Sequence, residues 1–128
     1  MYKPILCLDF DGVLHGYQSG WKGARNIPDP PVEGALLFMD EALDAGWDVV
    51  IHSSRSHYWF GVRAMRNWLK LHAGNMWNDS PGRLGLENVR FTIFKPSAMV
   101  TIDDRAITFT GKFPELDMLR KFKPWNKK

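Results

Sequence analysis

With one cysteine, Cys7, in 128 residues, the chain can form no internal disulfide, and a structural zinc site of the usual thiolate kind is excluded. A reducing, cytoplasmic setting is the expectation. Long apolar runs are missing as well. The run nearest the N-terminus, Ile5 to Leu8, is four residues long, too short for a signal peptide or a membrane span, and no other stretch approaches about 18. No GxxxxGK[ST] loop is present to cradle a triphosphate. His15, His52, His57 and His72 show no metal-ligand spacing and read as satisfied or exposed side chains. No internal repeat or low-complexity tract interrupts the chain. Even the net charge of +3 is not spread through the molecule: residues 120–128 (RKFKPWNKK) hold five bases and no acid, leaving 17 − 5 = 12 bases against 14 acids elsewhere. That tail reads as a frayed, solubilising terminus or as a tether to a nucleic acid, with Trp125 as a stacking residue.

What remains is the composition of one ordinary globular domain, 45% hydrophobic and 24% charged. A chain of this length buries roughly two-thirds of its unfolded surface, enough for a core without staples. Lys3 to Phe10 reads as a first buried strand. Some twenty residues rich in Gly and Pro follow, a flap at about 12–31, and loops of that length are usually functional. Val32, Leu36, Met39 and Leu43 give helical spacing, with Asp29 and two prolines at the start and Gly46 at the end. Trp47 to Ile51 reads as a second strand. A second helix over about 58–72 has Tyr58, Val62, Met65 and Leu69 as its core stripe, and its basic stripe of Arg63, Arg66 and Lys70 reads as solvated. A loop spans 75–88. Val89–Phe94, Met99–Ile102 and Ile107–Thr110 supply three more short strands. A last helix from about Pro114 turns Leu116, Leu119 and Phe122 inward. Alternation of strands and helices predicts an α/β fold with an open, mainly parallel, Rossmann-like sheet of about five strands and helices on both faces. Residues 1–119 form the single domain and 120–128 the basic tail.

In such a sheet, ligands bind outside the carboxyl ends of the strands. The polar residues at those ends form a coherent set: Asp9 and Asp11 after the first strand, Ser53 after the second, Lys95 after the third, Asp103 and Asp104 after the fourth. Asp9 and Asp11, two apart, share a side of an extended chain. Two carboxylates about 4 Å apart repel by roughly 4 kcal/mol at an effective dielectric of 20, so a cation is expected. Oxygen ligands without cysteine favour Mg²⁺, which takes one or two carboxylates and keeps waters and substrate phosphate as its other ligands. Ser53 as a donor and Lys95 as a positive charge suit a phosphoryl group.

The segments ILCLDFDGVLH (5–15), VVIHSSR (49–55) and FKPSAMVTIDDRAITFTG (94–111) together resemble the haloacid dehalogenase-like superfamily of hydrolases, and within it the small, capless phosphatases frequent in bacteria and bacteriophages. All four motifs of that superfamily occur in order, and the resemblance spans almost the whole chain. It implies Asp9 as the nucleophile that becomes an aspartyl-phosphate, and Asp11 as the acid and base that serves leaving group and water. It implies Ser53 as a phosphate ligand and Lys95 as the group that screens nucleophile from phosphate. Gly12, Ser54 and Arg55 join Ser53 and Lys95 as candidate substrate contacts, since a one-residue shift would exchange Ser53 and Ser54; Arg55 also reads as a brace for the loop or its carboxylates. The implied metal set is Mg²⁺ on Asp9, the carbonyl of Asp11 and Asp103, with Asp104 direct or through water. The two insertions, some twenty and about fourteen residues, are too short for a cap domain, so the site should be open. Trp21, Lys22 and Arg25 in the flap are candidates for substrate contact or an ordinary exposed loop.

The expected function is a Mg²⁺-dependent phosphomonoester hydrolase acting on a nucleotide, a nucleic-acid end or a small phosphometabolite, in a monomer or homodimer without membrane attachment. A phosphate-binding or phosphoprotein-binding module without turnover, and a nucleic-acid-binding accessory working through the tail, are the alternatives.

Overall fold

The computed structural model describes residues 2–78, 80, 81 and 84–127; parts of the 75–88 loop and Lys128 of the tail lie outside them. Strand β1 (Ile5–Leu8) leads through the long loop to helix α1 (Ala35–Asp44), then to β2 (Asp48–His52), helix α2 (Trp59–Ala73), β3 (Arg90–Thr92), β4 (Val100–Ile102) and the short helix α3 (Leu116–Arg120). The four strands form one sheet in the order β3-β2-β1-β4, and every pairing is parallel. This is an open α/β sheet of Rossmann-like kind.

Leu6 pairs with Val49 and Leu8 with Ile51. These alternate residues, with Phe91 of β3, enter one cluster with Leu36, Met39 and Leu43 of α1 and Met65, Trp68 and Leu69 of α2. Cys7 and Val50, one residue out of phase, are buried but lie outside that cluster, on the other face. Both long helices therefore cover the same face, which corrects the expectation of helices on both. The cause is direction: the chain steps from β1 to β2 to β3 across the sheet, and successive right-handed crossovers in one direction fall on one side. The return from β3 to β4 is made by residues 93–99 with no helix.

The expected fifth strand at Ile107–Thr110 is absent, so the sheet has four strands rather than five. Residues 105–122 carry no buried side chain, and α3 leaves Leu116 77%, Leu119 41% and Phe122 39% exposed, against the expectation that they turn inward. Helix α1 begins at Ala35, later than the prolines suggest, because Val32 N–H donates to the Leu14 carbonyl and Pro31 bridges to His15, holding residues 30–32 extended. In α2 the buried stripe falls on Gly61, Met65, Trp68, Leu69 and Ala73, while Tyr58 stays half exposed outside the helix. Gly61 is required there, since a Cβ would overlap the Arg55 carbonyl of the preceding turn. No helix of the described residues is long and apolar enough to cross a membrane.

Candidate functional site

β1 and β4 are neighbours, so residues just past their carboxyl ends meet. The Asp9 N–H donates to the Ile102 carbonyl at 3.0 Å, carrying the ladder one residue beyond β1 and setting Asp9 beside Asp103. One carboxylate oxygen each from Asp9, Asp103 and Asp104 lies within 4.8 Å of the others. Gly12, at φ +86°, makes the close approach work: a Cβ there would overlap the Asp104 carboxylate. Asp9 Oδ1 also accepts from the Phe10 N–H at 2.9 Å, and Asp103 Oδ1 from the Arg105 N–H at 2.8 Å. Those two bonds offset little of the crowding. Burial, a hydrogen bond with Asp104 and the charge of Asp103 push the Asp9 carboxyl up to about 8. Asp104 Oδ1 is buried with no hydrogen-bond partner among the described residues. An all-oxygen donor set, an orphaned buried carboxylate oxygen and mutual repulsion together fit a hard divalent cation.

Asp11 stands apart from this trio. Its Oδ1 accepts from Arg55 Nε (3.2 Å), Arg55 Nη2 (3.1 Å) and His15 Nδ1 (2.8 Å), and its Oδ2 from Arg55 Nε at 3.0 Å. The Asp29 N–H donates to His15 Nε2 at 3.0 Å, which leaves Nδ1 as the protonated nitrogen that donates to Asp11. His15 and Arg55 are both fully buried. Arg55 Nη1 donates to the carbonyls of Gly23, Ala24 and Asn26, and its guanidinium lies 4.7 Å from the Trp21 ring centroid. One arginine thus ties the flap to the carboxylate and faces neither solvent nor the trio. The flap is pinned again at its far end, where Ser19 donates twice to Asp29 and holds that carboxyl below the usual range. Asp29 in turn offers its carbonyl to Trp68 Nε1 at 3.2 Å.

Ser53 follows β2, is buried, and its Oγ accepts from the Arg55 N–H at 3.2 Å; Ser54 is exposed. Lys95 is exposed, with no ion pair among the described residues. The Cys7 thiol inside β1 is pushed up chiefly by burial.

Part of the tail docks on the domain. Pro124 is buried, Trp125 Nε1 donates to the Gly12 carbonyl at 2.7 Å, and Asn126 Nδ2 to the Gly16 carbonyl at 3.2 Å. Trp125 walls a hollow of about 240 Å³ with Val13, Val32, Asp103 and Asp104. No signal in the sequence ties Trp125 to Gly12, 113 residues away. Tyr17, with φ 63°, packs on His15 inside the flap, and a left-handed non-glycine residue leaves no local mark in sequence. No family model, curated protein or solved structure matches this chain. A second hollow, about 420 Å³, separates the flap from α2 and is lined by Arg25, Trp59, Phe60, Arg63 and Asn67.

Proposed function

We propose that the protein is a Mg²⁺-dependent phosphomonoester hydrolase that works through a phospho-aspartate on Asp9, on a fold of the capless haloacid dehalogenase-like kind. The observation that carries this reading is the convergence of Asp9, Asp103 and Asp104 within 4.8 Å, beside an Asp11 held apart by Arg55 and His15. Two acids two residues apart thereby occupy different environments, one crowded by carboxyls and one paired with a guanidinium. Asp9, Asp103 and Asp104 would hold the ion. Bound there, Mg²⁺ would supply positive charge for phosphate oxygens and favour the ionised form of Asp9.

Asp9 attacks phosphorus with one oxygen; the bond from phosphorus to the ester oxygen breaks, and that oxygen leaves with a proton from Asp11. Water then attacks the phospho-aspartate, giving its proton back to Asp11, and inorganic phosphate departs as Asp9 is restored. Asp11 Oδ2 suits the proton transfers, since it takes one donor while Oδ1 takes three. Arg55 and His15 are positioning residues. They fix the rotamer of Asp11, as a proton carrier within hydrogen-bond reach of two successive oxygens must be fixed. Lys95 would add positive charge and Ser53 a hydroxyl for a phosphate oxygen, while Gly12 lines the hollow beside Asp103 and Asp104.

Release of phosphate from an aryl phosphate by the purified chain tests the reading. Activity should require Mg²⁺ and disappear in Asp9→Asn with the fold retained. Equal turnover in that variant overturns the mechanism.

A further inference from the structure

The chain exposes 8575 Å², whereas a compact monomer of 14.8 kDa exposes about 7,000 Å². The excess, about 1,600 Å², is twice what each partner gives to a standard interface, about 800 Å². Its source is visible. Residues 105–122 leave Ile107, Phe109, Phe113, Leu116, Leu119 and Phe122 between 39% and 87% exposed, although their spacing is that of core-facing residues. Elsewhere in the same chain an apolar groove of about 340 Å³ runs between α1 and the edge strand β4, lined by Leu6, Phe38, Ala42, Trp47, Val100 and Ile102. β4 ends the sheet without a covering helix, and all three of its residues are exposed. Uncovered sheet edges and contiguous exposed apolar residues are features of interfaces.

The charges match as well. Residues 105–123 carry five bases (Arg105, Lys112, Arg120, Lys121, Lys123) against two acids, and residues 33–44, which include α1, expose three acids (Glu33, Glu41, Asp44) and no base, Asp40 being buried; Glu41 lines the groove itself. An apolar arm with a basic excess thus lacks a core, and an apolar groove with an acidic helix lacks an occupant. The arm is also fixed at both ends: it leaves at Asp103 and Asp104 and returns at Trp125 to the Gly12 loop, so its apolar middle stands out from the carboxylate end.

We propose that the occupant of the α1–β4 groove is the arm, residues 107–122, of a second copy of this chain, exchanged reciprocally about a two-fold axis. The same patch on each copy then supplies both arm and groove, which closes the assembly at two. The inference does not depend on the catalytic reading.

Light scattering on the purified chain after size exclusion tests it. The expected particle has twice the 14.8 kDa chain mass; a particle of one chain mass at every concentration overturns the proposal, whether the arm then stays free or folds back on its own groove. Phe113→Asp combined with Leu116→Asp changes only exposed side chains and should give a monomer with an unchanged far-ultraviolet spectrum. Phe38→Asp, on the groove side, should do the same. A dimer that survives both variants has some other interface and also overturns the proposal. Arg120→Glu with Lys121→Glu removes no apolar group and should raise the dimer dissociation constant about tenfold at low salt; no change there argues against the acidic face of α1 as the arm's seat. The dimer should persist in Asp9→Asn, which separates this test from that of the activity.

Discussion

The two stretches that leave the carboxylate trio, the flap behind Asp9 and the arm behind Asp103, are held in opposite ways. The flap has neither helix nor strand, yet buried polar groups fasten it: Arg55 to three of its carbonyls, His15 to Asp11 and Asp29, Ser19 to Asp29. The arm is rich in apolar residues and has a helix, yet none of its side chains in 105–122 is buried. Order here follows from satisfied partners and not from regular structure. A loop with its polar groups paired inside one chain is complete, and an amphipathic segment without a facing surface is not.

That contrast predicts where single substitutions hurt. The largest effect on function belongs to Asp9→Asn, which should lower phosphatase turnover by at least about a thousandfold, as loss of a nucleophile does. It should leave thermal stability equal or higher, because it removes one of three crowded carboxyls. Unfolding at a much lower temperature would show instead that the trio is structural.

The largest effect on stability belongs to Arg55. Arg55→Met strands the Asp11 carboxylate and three flap carbonyls and should cost about 3–5 kcal/mol in urea unfolding. Ser54→Ala, on the exposed neighbour, should stay within about 0.5 kcal/mol. Similar costs for the two would break the contrast between a fastened interior and a neutral surface.

Proton linkage sharpens it from another side. The folded, metal-free chain holds a proton on Asp9 up to about 8, whereas the unfolded chain releases it near 3.8. Between those values the native state binds more protons, so stability should fall as pH rises from about 4 to about 8. A divalent ion competes with that proton. The rise in Tm on adding Mg²⁺ should therefore be larger at pH 8 than at pH 5, and the difference should vanish in Asp9→Asn. Equal shifts at both values would mean that the ion binds elsewhere.

Much of this was legible in the sequence for physical reasons. Short apolar runs bounded by polar residues point to four strands, and of the six residues that the carboxyl-end rule picks out, Asp9, Asp11, Ser53, Lys95, Asp103 and Asp104, the fold gathers Asp9, Asp103 and Asp104 within 4.8 Å. The same local logic failed at Ile107–Thr110 and at Leu116, Leu119 and Phe122. Periodicity reports that a face is apolar, but not whether a surface within the same chain meets it. It also failed to decide between the two readings of Arg55. Whether an arginine braces or binds depends on which carbonyls surround it, here those of residues 23, 24 and 26, some thirty positions earlier.

The smallest predicted effect concerns the one part of the C-terminal stretch that does dock. Trp125 lends an indole N–H to the Gly12 carbonyl and a ring to the hollow beside Asp103 and Asp104. Trp125→Phe keeps a ring and removes the donor. It should cost about 1 kcal/mol of stability, the net worth of one hydrogen bond, and lower kcat/KM several-fold because Gly12 is what lets Asp104 approach. Trp125→Ala also loses the wall and should raise KM further while leaving the Mg²⁺ requirement intact. Were Trp125→Phe to lose as much activity as Trp125→Ala, the hydrogen bond and not the wall would be the feature that couples the tail to the site.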